Sequence, residues 1–182
     1  MNRRAFLLTI GASALVSPAA QAVTYQSTIT VDFDFKEVRY QGGGVSRIYP
    51  AVLPKPTALQ SMQLDRWPVW GMLSQTDREP AWMPTPNMRR ANPRLPKVVR
   101  YGEPLHPIGI YRLRVNWQNP TRPSFWQYVR IHGGAKEKDL YQHLSSGCVR
   151  MLDADITDMV ALLKSAGGET RITFGYGLAV TS

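Results

Sequence analysis

From Thr28 the chain alternates polar and apolar side chains, Thr28-Ile29-Thr30-Val31-Asp32-Phe33-Asp34-Phe35, the period of a strand with one face buried. Gln41-Gly42-Gly43-Gly44 follows as a turn, and Val45 to Leu53 reads as a second strand pairing back on the first. Ile108 to Val115, and again Phe125 to Ile131, are rich in β-branched and aromatic residues, so each predicts a further strand. Helical spacing is convincing in one place, where Ile156, Met159, Val160 and Leu163 recur on one face. Asp153 is placed to cap that helix and Gly167-Gly168 to end it. Glu169 to Tyr176 predicts a final strand. The pattern is that of a mostly β domain with one main helix.

Between Pro54 and Pro107 the pattern breaks down into prolines, among them Pro54, Pro56, Pro68, Pro80, Pro84, Pro86, Pro93, Pro96 and Pro104. Proline removes a backbone donor, so this stretch is expected to be a long structured excursion, not sheet interior. Trp67, Trp70 and Trp82 lie in it. They either pack the excursion onto the sheet or stack on a substrate.

Met1 to Ala22 has the order of an export signal: Arg3 and Arg4, an apolar stretch from Ala5 to Val16, then Ala20-Gln21-Ala22 as a small-x-small cleavage site. Arg3-Arg4 suits the twin-arginine or the general secretory route. The apolar stretch is shorter than the roughly 18 residues of a membrane span, so no permanent membrane anchor is expected. Residues 23–182 are then expected to form a single exported domain, placed in the periplasm. The formal charge of +9 falls to +7 once the two arginines leave. That surplus implies an anionic partner or serves solubility. Basic residues are scattered except around Arg89, Arg90 and Arg94, and export is expected, which disfavours nucleic acid; carboxylate-rich polymers of the envelope fit better. Gly42-Gly43-Gly44 lacks the Lys-Ser/Thr of a phosphate loop, so nucleotide binding is not expected.

Cys148 is the sole cysteine, so no internal disulfide can form. A thiol is mostly protonated at neutral pH and needs a base or a positive neighbour to become a nucleophile. His132, at the end of a predicted strand and followed by Gly133-Gly134, can take that proton and return it to a leaving amine. Ser145, Ser146 and Gly147 are small enough for the N–H groups of Gly147 and Cys148 to converge on an oxyanion. Arg150 shares the face of Cys148 if its strand is extended. There it lowers the thiol pKa, holds a substrate carboxylate, or pairs with Asp153 or Asp155. His143 is the competing base, on a polar loop, and His106 before Pro107 reads as a turn residue. A buried, inert Cys148 and a zinc site of His132, His143 and Cys148 are the other readings, the latter without paired-ligand spacing.

His132-Gly133 followed by Ser145-Ser146-Gly147-Cys148-Val149-Arg150 resembles the L,D-transpeptidase family, the YkuD-type catalytic domain with its His-Gly pair and Ser-x-Gly-Cys-x-Arg signature. His106-Pro107-Ile108-Gly109-Ile110-Tyr111 resembles the family's entry strand. Trp82 to Asn87 with Leu95-Pro96 resembles the periplasmic ErfK/YbiS branch. The likeness runs from about Thr28 to Tyr176. Ser146 stands where many members carry histidine, and Lys136-Glu137-Lys138-Asp139 makes the intervening loop unusually charged. The resemblance implies a YkuD-like β-sandwich or barrel and a two-step acyl transfer without cofactor or metal. Cys148 would attack a peptidoglycan tetrapeptide donor and pass its acyl group to an amine acceptor. It further implies that the Gly133 carbonyl orients His132, that Ser145, Ser146 and Arg150 line the substrate site, and that the enzyme is carbapenem-sensitive. A hydrolase on the same site and a non-catalytic wall-binding module are the rival functions.

Overall fold

A computed structural model describes residues 25–61, 68–120 and 123–178. The export signal and Trp67 lie outside the described residues. The first strand, β1 (Ser27–Asp32), stops earlier than the alternation suggested. The Asp32 carboxylate accepts the N–H groups of Asp34 (2.9 Å) and Phe35 (3.2 Å), closing a tight turn in which Lys36 takes a positive φ of 58°. The chain returns at once as β2 (Glu37–Gly42), a strand the pattern reading missed, and turns again at Gly43 and Gly44 into β3 (Val45–Pro50). The expected second strand therefore pairs with β2, and β2 with β1. Val38 and Tyr40, both fully buried, supply β2 with its own alternation.

Short elements follow: β4 (Leu53–Pro54) and α1 (Pro56–Ser61). The proline-rich excursion then yields a ten-residue strand, β5 (Val69–Arg78). It lies inside the sheet, against expectation, because prolines flank residues 69–78 but do not interrupt them. Beyond it α2 (Pro86–Ala91) is capped by Thr85, and Trp82 bridges to Val99. β6 (Tyr111–Trp117) runs antiparallel to β5.

The strand expected over Phe125–Ile131 is instead a helical turn, α3 (Pro123–Trp126), leading to a two-residue strand, β7 (Ile131–His132). Trp126 and Val129, three residues apart, are both buried, which a helical turn permits and a strand does not. Trp126 packs edge-on against Trp117 and Phe174, at centroid distances of 4.5 and 5.9 Å. β8 (His143–Ser145) and β9 (Val149–Arg150) follow, then α4 (Asp153–Ala166) and β10 (Thr170–Gly175). α4 ends at Gly167 and Gly168, whose φ values of 64° and 61° suit a helix stop. Its N-cap is Leu152 and not Asp153, whose carboxylate is engaged elsewhere.

The main sheet has the order β3-β2-β1-β10-β5-β6-β7-β9, and β4 pairs with β8 in a separate ladder. α4 touches both β2 and β6, four places apart, which on a flat sheet would be roughly 19 Å. The sheet must therefore curl around the helix, whose Ile156, Met159, Val160 and Leu163 fill the inside. The edges show the same curl. β3 ends at Pro50, and Val52, two residues later, exchanges backbone hydrogen bonds of 2.9 Å with Arg150 of the opposite edge strand. The result is a mostly β half-barrel around one main helix, as the pattern implied.

Candidate active site

In the parallel ladder of β7 and β9, Ile131 pairs with Val149 and His132 with Arg150. Side chains alternate between faces along each strand. Ile131 and Val149, both fully buried, point to the core, so Arg130, His132, Cys148 and Arg150 stand together on the other face. β6 extends that face, because Arg112 pairs with His132 and Arg114 follows two residues on. By strand geometry the Cα atoms of His132 and Cys148 are roughly 8 Å apart, on a diagonal of one sheet face.

His132 is 6% exposed, and its Nδ1 lies 2.7 Å from Gly133 O and 3.2 Å from Ile108 O. Both partners are carbonyls, so Nδ1 carries the hydrogen and Nε2 keeps a free lone pair. Burial lowers the imidazole pKa to about 4; the Gly133 carbonyl opposes this, while the charges of Arg150 and Arg112 add to it. At neutral pH the ring is uncharged and able to accept a proton.

Cys148 as a whole is half-buried, yet its sulfur sits deep enough that burial holds the thiol above its ordinary range. The backbone N–H of Arg130 and the charges of Arg130, Arg150 and Arg112 pull the other way without overturning it. The S–H points at Tyr128 O, 3.6 Å away, and no hydrogen bond joins it to His132. At neutral pH both the thiol and the imidazole are therefore uncharged.

The loop before β9 is internally tied. The buried Ser145 hydroxyl donates to Cys148 O and accepts the Gly147 N–H at 3.3 Å. Gly147 has a φ of +148°, which disfavours any other residue. Ser146 is exposed at the rim. Arg150 is half-buried, and among the described residues no ion pair links it to Asp153 or Asp155.

Asp153 does something the helix pattern did not suggest. Its Oδ1 accepts the N–H groups of Ile110 (3.1 Å) and Gly134 (2.9 Å), tying together the two loops whose carbonyls hold His132. The fit is close: a Cβ on Gly133 or Gly109 would fall 2.0 or 2.1 Å from that oxygen.

His143 is not on a free loop. It belongs to β8, with Nδ1 2.8 Å from Pro54 O and no hydrogen bond to Cys148. His106 Nε2 lies 2.6 Å from Pro80 O and the ring stands edge-on to Tyr101. No group of three metal-ligating side chains occurs among the described residues. Trp70 is covered by the Arg171 guanidinium at 4.7 Å, within the sheet. An apolar hollow lined by Pro96, Val99, Glu103, Pro104 and Leu105 shares no residue with the Cys148 surroundings. Residue-by-residue reading passed over Arg112, Arg114, Arg130 and Asp77. The signal was present in Arg112-Leu113-Arg114, whose period of two puts both arginines on one face.

The family model of the YkuD L,D-transpeptidase catalytic domain matches residues 26–172, and the chain belongs to that family. A comparison with curated proteins finds no match. An L,D-transpeptidase from Mycobacterium smegmatis is 14% identical with a TM-score of 0.52, over 82% of this chain and 58% of that one. The catalytic domain of the E. faecium L,D-transpeptidase, solved acylated by ertapenem, is 14% identical with a TM-score of 0.52, over 84% of this chain and 99% of that one. L,D-transpeptidase 3 from Mycobacterium tuberculosis is 11% identical with a TM-score of 0.50, over 82% and 61%. At such identities the likeness is one of fold. The chain spans about three fifths of the mycobacterial proteins.

Proposed function

We propose that this protein is an exported L,D-transpeptidase that acts on peptidoglycan stem peptides through Cys148 and His132. The observation that carries the reading is the β7–β9 ladder, which sets a half-buried cysteine and a histidine with a free Nε2 on one sheet face. Sulfur attacks the peptide carbonyl at the L-centre of the donor's diamino acid while its proton passes to His132 Nε2. The N–H groups of Cys148 and Gly147 meet the oxyanion, the latter by leaving Ser145 Oγ. Collapse expels the terminal D-alanine, whose amine takes the proton from His132, and leaves a thioester. An acceptor amine then adds, gives its proton to His132, and releases the thiol as the new amide forms.

The Gly133 carbonyl keeps the imidazole in the productive tautomer throughout. Ser145 shapes the nucleophile loop, while Ser146 and Arg150 line the substrate side. The resting thiol is protonated, so ionisation accompanies substrate arrival, when water is displaced from the pair. A carbapenem would be opened by the same sulfur; the E. faecium domain acylated by ertapenem supports this. Export to the periplasm follows from where such a substrate resides.

Purified protein incubated with tetrapeptide-bearing wall fragments should yield cross-linked or amine-exchanged products by mass spectrometry. Trimmed peptide alone would make it a hydrolase and sink the transferase reading. Cys148→Ala should abolish both turnover and the carbapenem adduct.

A further inference from the structure

The sheet face that carries Cys148 holds more positive charge than the protein neutralises. Arg112 donates through Nε (2.8 Å) and Nη2 (2.7 Å) to Asp77 Oδ2, and Arg114 through Nε (2.7 Å) to the same oxygen. Burial pushes the Asp77 carboxyl up, but the hydrogen bonds from Arg114 and Arg112 outweigh it and hold the group below its usual range. Asp77 is thus ionised, and one carboxylate serves two guanidinium groups.

Among the described residues Arg114 keeps both terminal nitrogens without a hydrogen-bond partner, and its side chain is 42% exposed. The antiparallel register that pairs Arg112 with His132 and Leu113 with Ile131 brings Arg114 to the level of Arg130. Arg130 donates Nη1 to its neighbour's carbonyl, Val129 O, at 2.7 Å, and among the described residues its Nε–Nη2 edge has no partner. No ion pair engages Arg130 among the described residues. Arg130 has no counter-ion and Arg114 shares its single one with Arg112, so the charges are incompletely paired, and the planar fork of a guanidinium matches a carboxylate in bidentate fashion.

We infer that Arg114 and Arg130, braced by Arg112 and Asp77, form a carboxylate-binding subsite beside Cys148. Its ligand is a carboxylate of the peptide that the thiol acts on or passes its acyl group to. Arg130 is the residue level with Cys148 across the β7–β9 ladder, so the bound carboxylate lies within one or two peptide residues of the reacting carbonyl, at about 3.3 Å per residue. The inference rests on the acyl-transfer reading for the identity of that peptide.

The test uses a wall tetrapeptide with all carboxylates free, and analogues with one carboxylate at a time replaced by carboxamide. In wild type, amidation at the recognised position should lower kcat/KM by about 10–100-fold, mainly through KM. Amidating donor and acceptor in turn identifies which peptide the subsite holds. In Arg114→Gln and in Arg130→Gln the carboxylate-to-amide ratio should collapse toward one, and Arg114→Lys should restore part of it. Peptide affinity of Cys148→Ala, with and without Arg114→Gln, reads the same ratio without turnover. Equal losses on both peptide forms, or a ratio unchanged by either substitution, would overturn the subsite. Turnover without discrimination overturns it while leaving the acyl-transfer reading intact; discrimination in binding without any turnover does the reverse.

Discussion

His132 gives its Nδ1 hydrogen to two backbone carbonyls and is buried, and both facts have measurable consequences. Its pKa is about 4 in the fold against an ordinary 6.5. Below pH 6.5 the unfolded chain therefore binds a proton that the folded chain does not, so stability is full above that pH and declines as pH falls toward 4. The loss should reach about 3 kcal/mol and then level off. Urea unfolding at pH 7 and near pH 4, in wild type and His132→Gln, checks this; the variant should lack that part of the pH dependence. For Cys148, burial places thiol ionisation above the ordinary range, so alkylation by iodoacetamide should be slow at neutral pH and rise only in alkaline solution. Arg130→Gln should move that profile further up, because it removes the largest of the charges that favour the thiolate.

At the scale of elements, the site is made by short pieces held by long ones. β7 and β9 have two residues each, too few to be stable alone, and they borrow order from β6 on one side and Val52 on the other. The first turn of α4 adds a clasp, since Asp153 binds the loops that contribute Ile108 O and Gly133 O to His132. Asp153→Ala should lower turnover and destabilise the protein by about 1–3 kcal/mol, whereas Asp153→Asn, which keeps an acceptor oxygen, should retain most of both. Gly109→Ala combines a φ of +73° with a Cβ 2.1 Å from Asp153 Oδ1. It should cost more than about 1 kcal/mol and weaken activity, read by thermal unfolding and by product formation.

For the whole molecule, the curl of the sheet around α4 decides where the chemistry sits. The site lies near the edge strand β9, and Val52 covers that edge, so the open backbone that would invite another strand is capped. No helix among the described residues is long and apolar enough to cross a membrane. The net charge of +9 favours long-range attraction to an anionic polymer. Binding to carboxylate-bearing wall fragments should weaken steeply as salt rises toward roughly 1 M, where the Debye length shrinks to about 3 Å. Co-sedimentation with wall fragments across a salt series measures it, and salt-independent binding would exclude an electrostatic origin.

Local order was written plainly in the chain. The alternation from Thr28, the helical spacing of Ile156 to Leu163 and the Gly167-Gly168 stop each depend on neighbours a few residues away, and the structure has each of them. His132-Gly133 and Ser145 to Arg150 carried the family for the same reason, being compact in sequence. Residues 125–131 misled because their β-branched and aromatic composition suits a strand, and only packing of Trp126 against Trp117 and Phe174 shows that the segment is a helical turn. β5 was hidden because proline density was averaged over a segment whose interior has none. The arginine row, the Asp153 clasp and the placing of His132 and Cys148 on one sheet face depend on contacts between segments far apart in sequence. Such contacts form only when the sheet closes around α4, so the sequence by itself determined the elements with a clear local period and the candidate residues, and tertiary structure alone decided the remaining elements and which residues share a face.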